Sequence, residues 1–234
     1  MRSWILVAVF LLALPQTSMA AEPQVEPRYE PAMVMRESNF RADPSTGQPP
    51  LDTFKAGTKV LITGVTKDAR GRDWYAVSLY DGRRGYIYGR LVAALPTPPD
   101  PPEGLGVTKV SDPAVAAEVV GSHGMTMQRI GSDPWGGLSV FEDLGLYYAR
   151  GSQPGSQGDR MVLDGTLLAI DSRGFTLQGD LSYGARENGQ RITCKRNAKL
   201  RFDLVANSNT WRYSGPAGSC GPWSEQIEVY RRKE

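Results

Sequence analysis

The stretch RDWYAVSLYDGRRGYIYGRL, residues 72–91, packs one Trp and four Tyr into twenty positions around Asp81-Gly82. Asp-Gly between two alternating runs is a strong hairpin signal, because both residues tolerate positive φ. Tyr75, Val77 and Leu79 share one parity, which puts them on one face, and Trp74 lies on the other. Beyond the turn, Tyr86 and Tyr88 share a face and Ile87 opposes them. If Ile87 joins Val77 in a core, both tyrosines turn outward or line a shallow groove. A domain this small needs aromatic burial to be stable. The residues therefore support two compatible roles: core with groove wall, and a subset that touches a ligand.

Working outward, the block from 31 to 95 carries ordered motifs. Asn39, Arg41 and Pro44 come first. Lys55, Gly57 and Val60 lead into a strand, and Asp73, Trp74, Tyr75 and Val77 form the next. Asp81-Gly82 makes the turn, and Gly85, Tyr86 and Ile87 close the block. In this order and spacing they resemble the bacterial SH3 (SH3b) family over about 65 residues. Phe40 and Ala42 stand where the family more often has Val and Gly, and Tyr86 where it usually has Trp. The resemblance implies a small barrel and a non-catalytic module that binds cell-wall peptides or other peptides. Aromatics beside basic residues then single out Trp74, Tyr86, Tyr88 and Arg41 as an expected shallow peptide or glycan site. Residues 28–95 hold eleven Lys/Arg against seven Asp/Glu. Arg41, Arg83, Arg84 and Arg90 can meet carboxylates of a ligand, or form a solvated basic surface.

Residues 1–20, MRSWILVAVFLLALPQTSMA, have one Arg, an apolar run from Trp4 to Leu14, then small residues at Ser18 and Ala20. This is the pattern of a secretory signal peptide. The apolar run is shorter than the ~20 residues a spanning helix needs, so no stable membrane anchor is expected after cleavage, and the address is the periplasm or outside. In such a compartment the two cysteines, Cys194 and Cys220, read as a disulfide; two free thiols are the alternative. The formal charge of +2 over 234 residues is too small to argue for nucleic acid.

Residues 21–30 read as a polar, Pro-rich lead. Residues 96–106, PTPPDPPEGLG, hold five Pro and mark an extended linker, with a proline-recognition ligand as the rarer use. The linker region runs from 96 to 134 and contains a short helix: Asp112 caps it, Pro113 suits its first position and Gly121 its stop. A second β domain follows over 135–234. In FTLQGDLSY, Phe175, Leu177, Leu181 and Tyr183 face one way. Leu200, Phe202 and Leu204 repeat the pattern against Arg201 and Asp203. Frequent turn signals make this a small barrel or sandwich, so the chain is all-β throughout. The basic run Arg191, Lys195, Arg196, Lys199 and Arg201 reads as the charged outer face of a hairpin, with an anionic-ligand patch as the alternative. Trp211 and Trp223 are expected near the disulfide.

Catalytic signatures are thin. The single histidine, His123, lies in GSHGM, a Gly-rich connection, and reads as a loop residue. No Gly-x-Ser-x-Gly elbow surrounds any Ser, and one His with two paired Cys makes no metal site. Asp164, Asp171, Asp180, Asp203 and Glu225 could supply paired carboxylates, though most fall at turns or on polar strand faces. No cofactor is expected. The sequence thus points to a binding protein of the cell envelope, with an envelope hydrolase or an assembly subunit acting through the second domain as alternatives.

Overall fold

A computed structural model describes residues 23–98, 101–187, 190–216, 220 and 224–231. The signal peptide read over 1–20, and Trp223, lie outside these residues. The described residues are all-β apart from one short helix and two single turns of 3-10 helix.

The first unit is built from β1 (Glu26–Val34), β2 (Ser38–Phe40), β3 (Asp52–Phe54), β4 (Lys59–Lys67), β5 (Asp73–Ser78), β6 (Arg84–Tyr88) and β7 (Val92–Ala94). Five strands form one sheet in the order β6-β5-β4-β1-β7, and β2-β3 pack against it as a second ribbon. The lead is shorter than the sequence indicated, because β1 starts at Glu26 and pairs with β4. Its prolines fit because the register breaks between Pro27 and Glu30, and β7 joins β1 only from Ala32 onward. Along β4, Val60 and Ile62 point inward while Leu61 is exposed, the period of two that a half-buried strand imposes. They meet Ala32, Val34, Phe40, Phe54, Val77, Ile87 and Val92 in one core, with the Phe40 and Phe54 rings stacked at 5.0 Å. Ile87 and Val77 do share this core, so the parity argument for Tyr86 and Tyr88 holds.

The β5–β6 turn differs in detail. Only Gly82 adopts positive φ (85°); Asp81 does not. Gly82 N–H donates to Leu79 O at 3.0 Å, and Leu79 N–H to Arg83 O at 2.9 Å. This is a longer loop with a left-handed glycine, the next commonest hairpin solution after the two-residue turn.

The second unit begins earlier than residue 135. It comprises β8 (Lys109–Val110), α1 (Pro113–Val119), β9 (Gly121–Met127), β10 (Gly131–Asp143), β11 (Leu146–Pro154), β12 (Arg160–Asp171), β13 (Gly174–Glu187), β14 (Gln190–Leu204), β15 (Thr210–Ser214) and β16 (Gln226–Tyr230). Strands β9 to β16 run antiparallel in chain order, and β16 returns to pair with β9, closing an eight-stranded barrel. The Gly-rich bridge is therefore a barrel strand: Met125 and Met127 are fully buried. Its glycines hid the strand from a composition-based reading. The helix forms as its sequence dictates, with Asp112 Oδ1 accepting from Ala114 N at 3.0 Å and Val115 N at 3.1 Å.

The barrel interior is filled. Met161, Leu163, Leu167, Phe175, Leu177, Leu181, Leu200, Phe202, Trp211, Ile227 and Val229 form its core, and each such fully buried large side chain contributes about 1.5–3 kcal/mol. Lys195, Lys199 and Arg201 face outward between buried neighbours on β14. Apolar-in and charged-out is the reverse of a barrel that spans a membrane. Where Gly165 faces Gly179, a Cβ on either would come within 2.7 Å of the partner's Cα. The paired glycines let β12 and β13 pass that closely. Leu204 does not follow the inward pattern. It is exposed where β14 runs out, after its N–H has turned to Arg173 O at 2.6 Å.

The two units touch. Met33 and Met35 of the first pack with Val120, Phe141 and Tyr148 of the second. Lys59 Nζ reaches Asp143 at 3.1 Å and Glu142 at 3.3 Å. The Tyr148 hydroxyl donates to Pro96 O at 3.1 Å. The barrel therefore sits on the β1–β7 side of the small domain, and β6 lies at the opposite edge of its sheet. Among the described residues no helix is long and apolar enough to cross a membrane.

Candidate functional site

On the outer face of β5 and β6, Trp74 lies opposite Tyr88, and Ala76 opposite Tyr86. Trp74 was expected to touch ligand, but it is only 2% exposed. The parity was right; what covers the indole is the preceding loop. Trp74 Nε1–H donates to Asp68 Oδ2 at 3.2 Å. Asp68 in turn accepts from Arg70 N at 2.9 Å, Arg72 N at 3.0 Å and Arg72 Nε at 2.7 Å. Burial alone would raise the Asp68 pKa, but these donors outweigh it and hold the carboxyl far below its ordinary value.

The tyrosine above is ordered from both sides. The Trp74 and Tyr88 rings sit 5.7 Å apart and tilted, and the Arg72 guanidinium lies 5.6 Å from the Tyr88 centroid, in cation–π range. Two residues back, Tyr86 is fixed through its backbone. Arg41 N–H donates to Tyr86 O at 3.0 Å, and Tyr86 N–H to Arg41 O at 2.8 Å. Between them Gly85 is obligatory, since a Cβ there would lie 2.5 Å from Arg41 O and 2.6 Å from the Phe40 ring. Arg41 also donates through Nη1 to Gln48 O.

So the structure brings Arg41, Tyr86 and Tyr88 onto one half-buried face and places Trp74 beneath it as support. Sequence reading missed Arg72 and Asp68. The Asp-x-Arg-x-Arg spacing of Asp68, Arg70 and Arg72 ahead of Trp74 is a usable sign, because an Asp can gather N–H donors two and four residues on. Arg83 is not a free cation. It donates to Asp81 and to Asp52, both at 2.7 Å, and lies over Phe54 at 5.8 Å, locking the turn to β3. Arg84 and Arg90 stay exposed.

In the barrel, Cys194 and Cys220 form a disulfide with a Cα–Cα distance of 5.5 Å. Glu225 lies within 4.8 Å of both sulfurs. Since the sulfurs are bonded to each other, they offer no thiolates to a metal. Arg196, read as outward-facing, points in: its guanidinium pairs with Glu225 and donates to Tyr213 Oη at 3.2 Å, and the Tyr183 hydroxyl donates to Glu225 at 3.0 Å. It has the parity of Cys194 and Ala198, which a run of five basic residues concealed. Asp171 takes two bonds of 2.8 Å from Arg201, which lower its pKa to about 2. Asp203 also accepts from Arg201, Asp164 pairs with Arg150, and Asp180 accepts from Asn197. His123 is buried on β9 rather than looped out, its Nε2 at 2.8 Å from Val119 O and its Nδ1 at 3.3 Å from Tyr230 O. Trp211 packs edge-on against His123 and Phe175. It pairs with Leu204, ten residues along β14 from Cys194, so it belongs to the core away from the disulfide.

Comparison with known families matches residues 107–231 to the PM1083 family and residues 37–93 to the bacterial SH3 domain. No curated protein and no solved structure matches the chain.

Proposed function

We propose a function for this chain, which belongs to the PM1083 family and carries a bacterial SH3 domain: it is a non-catalytic, exported envelope protein whose SH3 domain binds cell-wall peptide or glycan, or a protein partner. One observation carries the reading. Tyr88 is braced between Trp74 and Arg72, and Tyr86 is pinned to Arg41, on a face at the sheet edge opposite the barrel. Ordered aromatics cost little entropy to use, and nearby guanidinium groups pair with carboxylates. Arg41, Tyr86 and Tyr88 make the contacts, while Trp74 holds Tyr88 in place.

Export rests on the first twenty residues and agrees with the disulfide, a bond that persists in oxidising compartments. The non-catalytic reading draws on the candidate carboxylates Asp164, Asp171, Asp180, Asp203 and Glu225, each held by an arginine or an amide. The test is retention of the mature full-length protein on purified wall sacculi at low salt. Wild type should be retained more strongly than Tyr88→Ala; no retention of folded wild type, or equal retention of the two, ends the proposal.

A further inference from the structure

The barrel carries a second surface, unrelated to the SH3 face. On β9 and β16, Met125, Met127, Ile227 and Val229 fill the interior, so Gly124, Glu228 and Tyr230 face out. Gly124 lies opposite Tyr230. Trp135, from the irregular part of β10, covers the place where Gly124 lacks a side chain; a Cβ there would be 3.0 Å from the indole. The indole stacks on Tyr230 at 4.4 Å and 27° and still leaves 56% of the residue exposed.

Polar groups beside this plate are fixed. Glu228 accepts from Arg212 Nε at 3.0 Å and Nη2 at 2.7 Å, and from the Tyr230 hydroxyl at 2.8 Å. Arg212 also lines a groove of about 440 Å³ beside β14 and β15, together with Lys199. The groove arises because β15 pairs with β14 only at Asp203 and Leu204. From β14 to β10 the surface crosses four strand spacings, about 19 Å at ~4.8 Å each.

We propose that this face binds an oligosaccharide bearing carboxylate groups. A single exposed indole held flat suits the apolar face of a sugar ring and is too small an apolar patch to anchor a protein interface. An oriented Arg–Glu pair offers donors and acceptors to ring hydroxyls. The groove adds Lys199, with no ion pair among the described residues, for an acidic substituent. The length accommodates several rings rather than one.

The test titrates the mature full-length protein with peptide-free wall glycan strands, which are acidic, and with neutral chitotetraose, following tryptophan emission and heat. Both should bind. Trp135→Ala should weaken both by about tenfold with an unchanged circular dichroism spectrum, and Arg212→Gln should weaken both as an independent check. Lys199→Ala should weaken only the acidic glycan. Trp135→Ala should keep wild-type binding to a soluble wall peptide, which separates this site from the SH3 reading. The inference falls if folded wild type binds neither probe, if Trp135→Ala binds as wild type does, or if Tyr88→Ala alone abolishes binding.

Discussion

Arg196 and Glu225 meet inside the barrel beside the Cys194–Cys220 bond, the carboxylate 1% exposed and held by a guanidinium and a tyrosine hydroxyl. β14 has few backbone pairs with β15, so the disulfide and this ion pair hold β14 to the segment leading into β16. Removing one partner leaves a buried charge without its counter-ion. Arg196→Ala should therefore destabilise the protein by about 3–5 kcal/mol. Replacing Arg196 by Met and Glu225 by Gln together should cost clearly less than Arg196→Ala. Urea unfolding of the three proteins checks both statements.

The disulfide joins residues 26 apart. Constraining a loop of that length in the unfolded chain corresponds to about 3.5 kcal/mol. The double substitution Cys194→Ser with Cys220→Ser should lose stability of that order in urea. Wild type under reducing conditions should fall to the same level.

The β10–β11 hairpin turns through Leu144 and Gly145, both at positive φ (50° and 83°). Leucine is a poor choice there, since its Cβ crowds the backbone by about 1–2 kcal/mol, and its side chain is 88% exposed. Leu144→Asn should raise the unfolding free energy by about 0.5–1 kcal/mol. A lower thermal midpoint would show that Leu144 has packing unseen at this turn.

Acid should destabilise the fold in a defined window. Arg201 lowers the Asp171 pKa to about 2, from an ordinary value of 3.8, and the donors around Asp68 lower that group further. Such groups contribute fully above pH ~4, where the unfolded carboxyl is also ionised, and their contribution is lost as pH falls toward ~2. Thermal midpoints should drop across that range. Asp171→Asn should be less stable at pH 7 and show a shallower drop.

Much of this was legible in the sequence. Asp112-Pro113 announced α1, the alternation of Phe175 through Tyr183 announced β13, and two cysteines in a chain read as exported announced the disulfide. The SH3 motifs placed Tyr86, Tyr88 and Arg41 on one side. What failed did so for physical reasons. Strand β9 is glycine-rich because Gly124 makes room for Trp135, so composition suggested a bridge. Arg196 hid among outward basic residues because its partner, Glu225, is 29 residues away. Trp74 was on the face assigned to it, but single-strand parity carries no information about the Asp68 loop folding over it.

The proposed function stands on the SH3 face gripping wall-derived material. Amide chemical-shift mapping on isotope-labelled mature protein, titrated with a soluble wall peptide, tests it most directly. The predicted result is saturable shifts clustered at Arg41, Arg72, Tyr86 and Tyr88, with Trp74 following indirectly and the β1–β7 edge silent. Shifts confined to the barrel, or none from peptide, glycan strand or any co-exported protein, would contradict it.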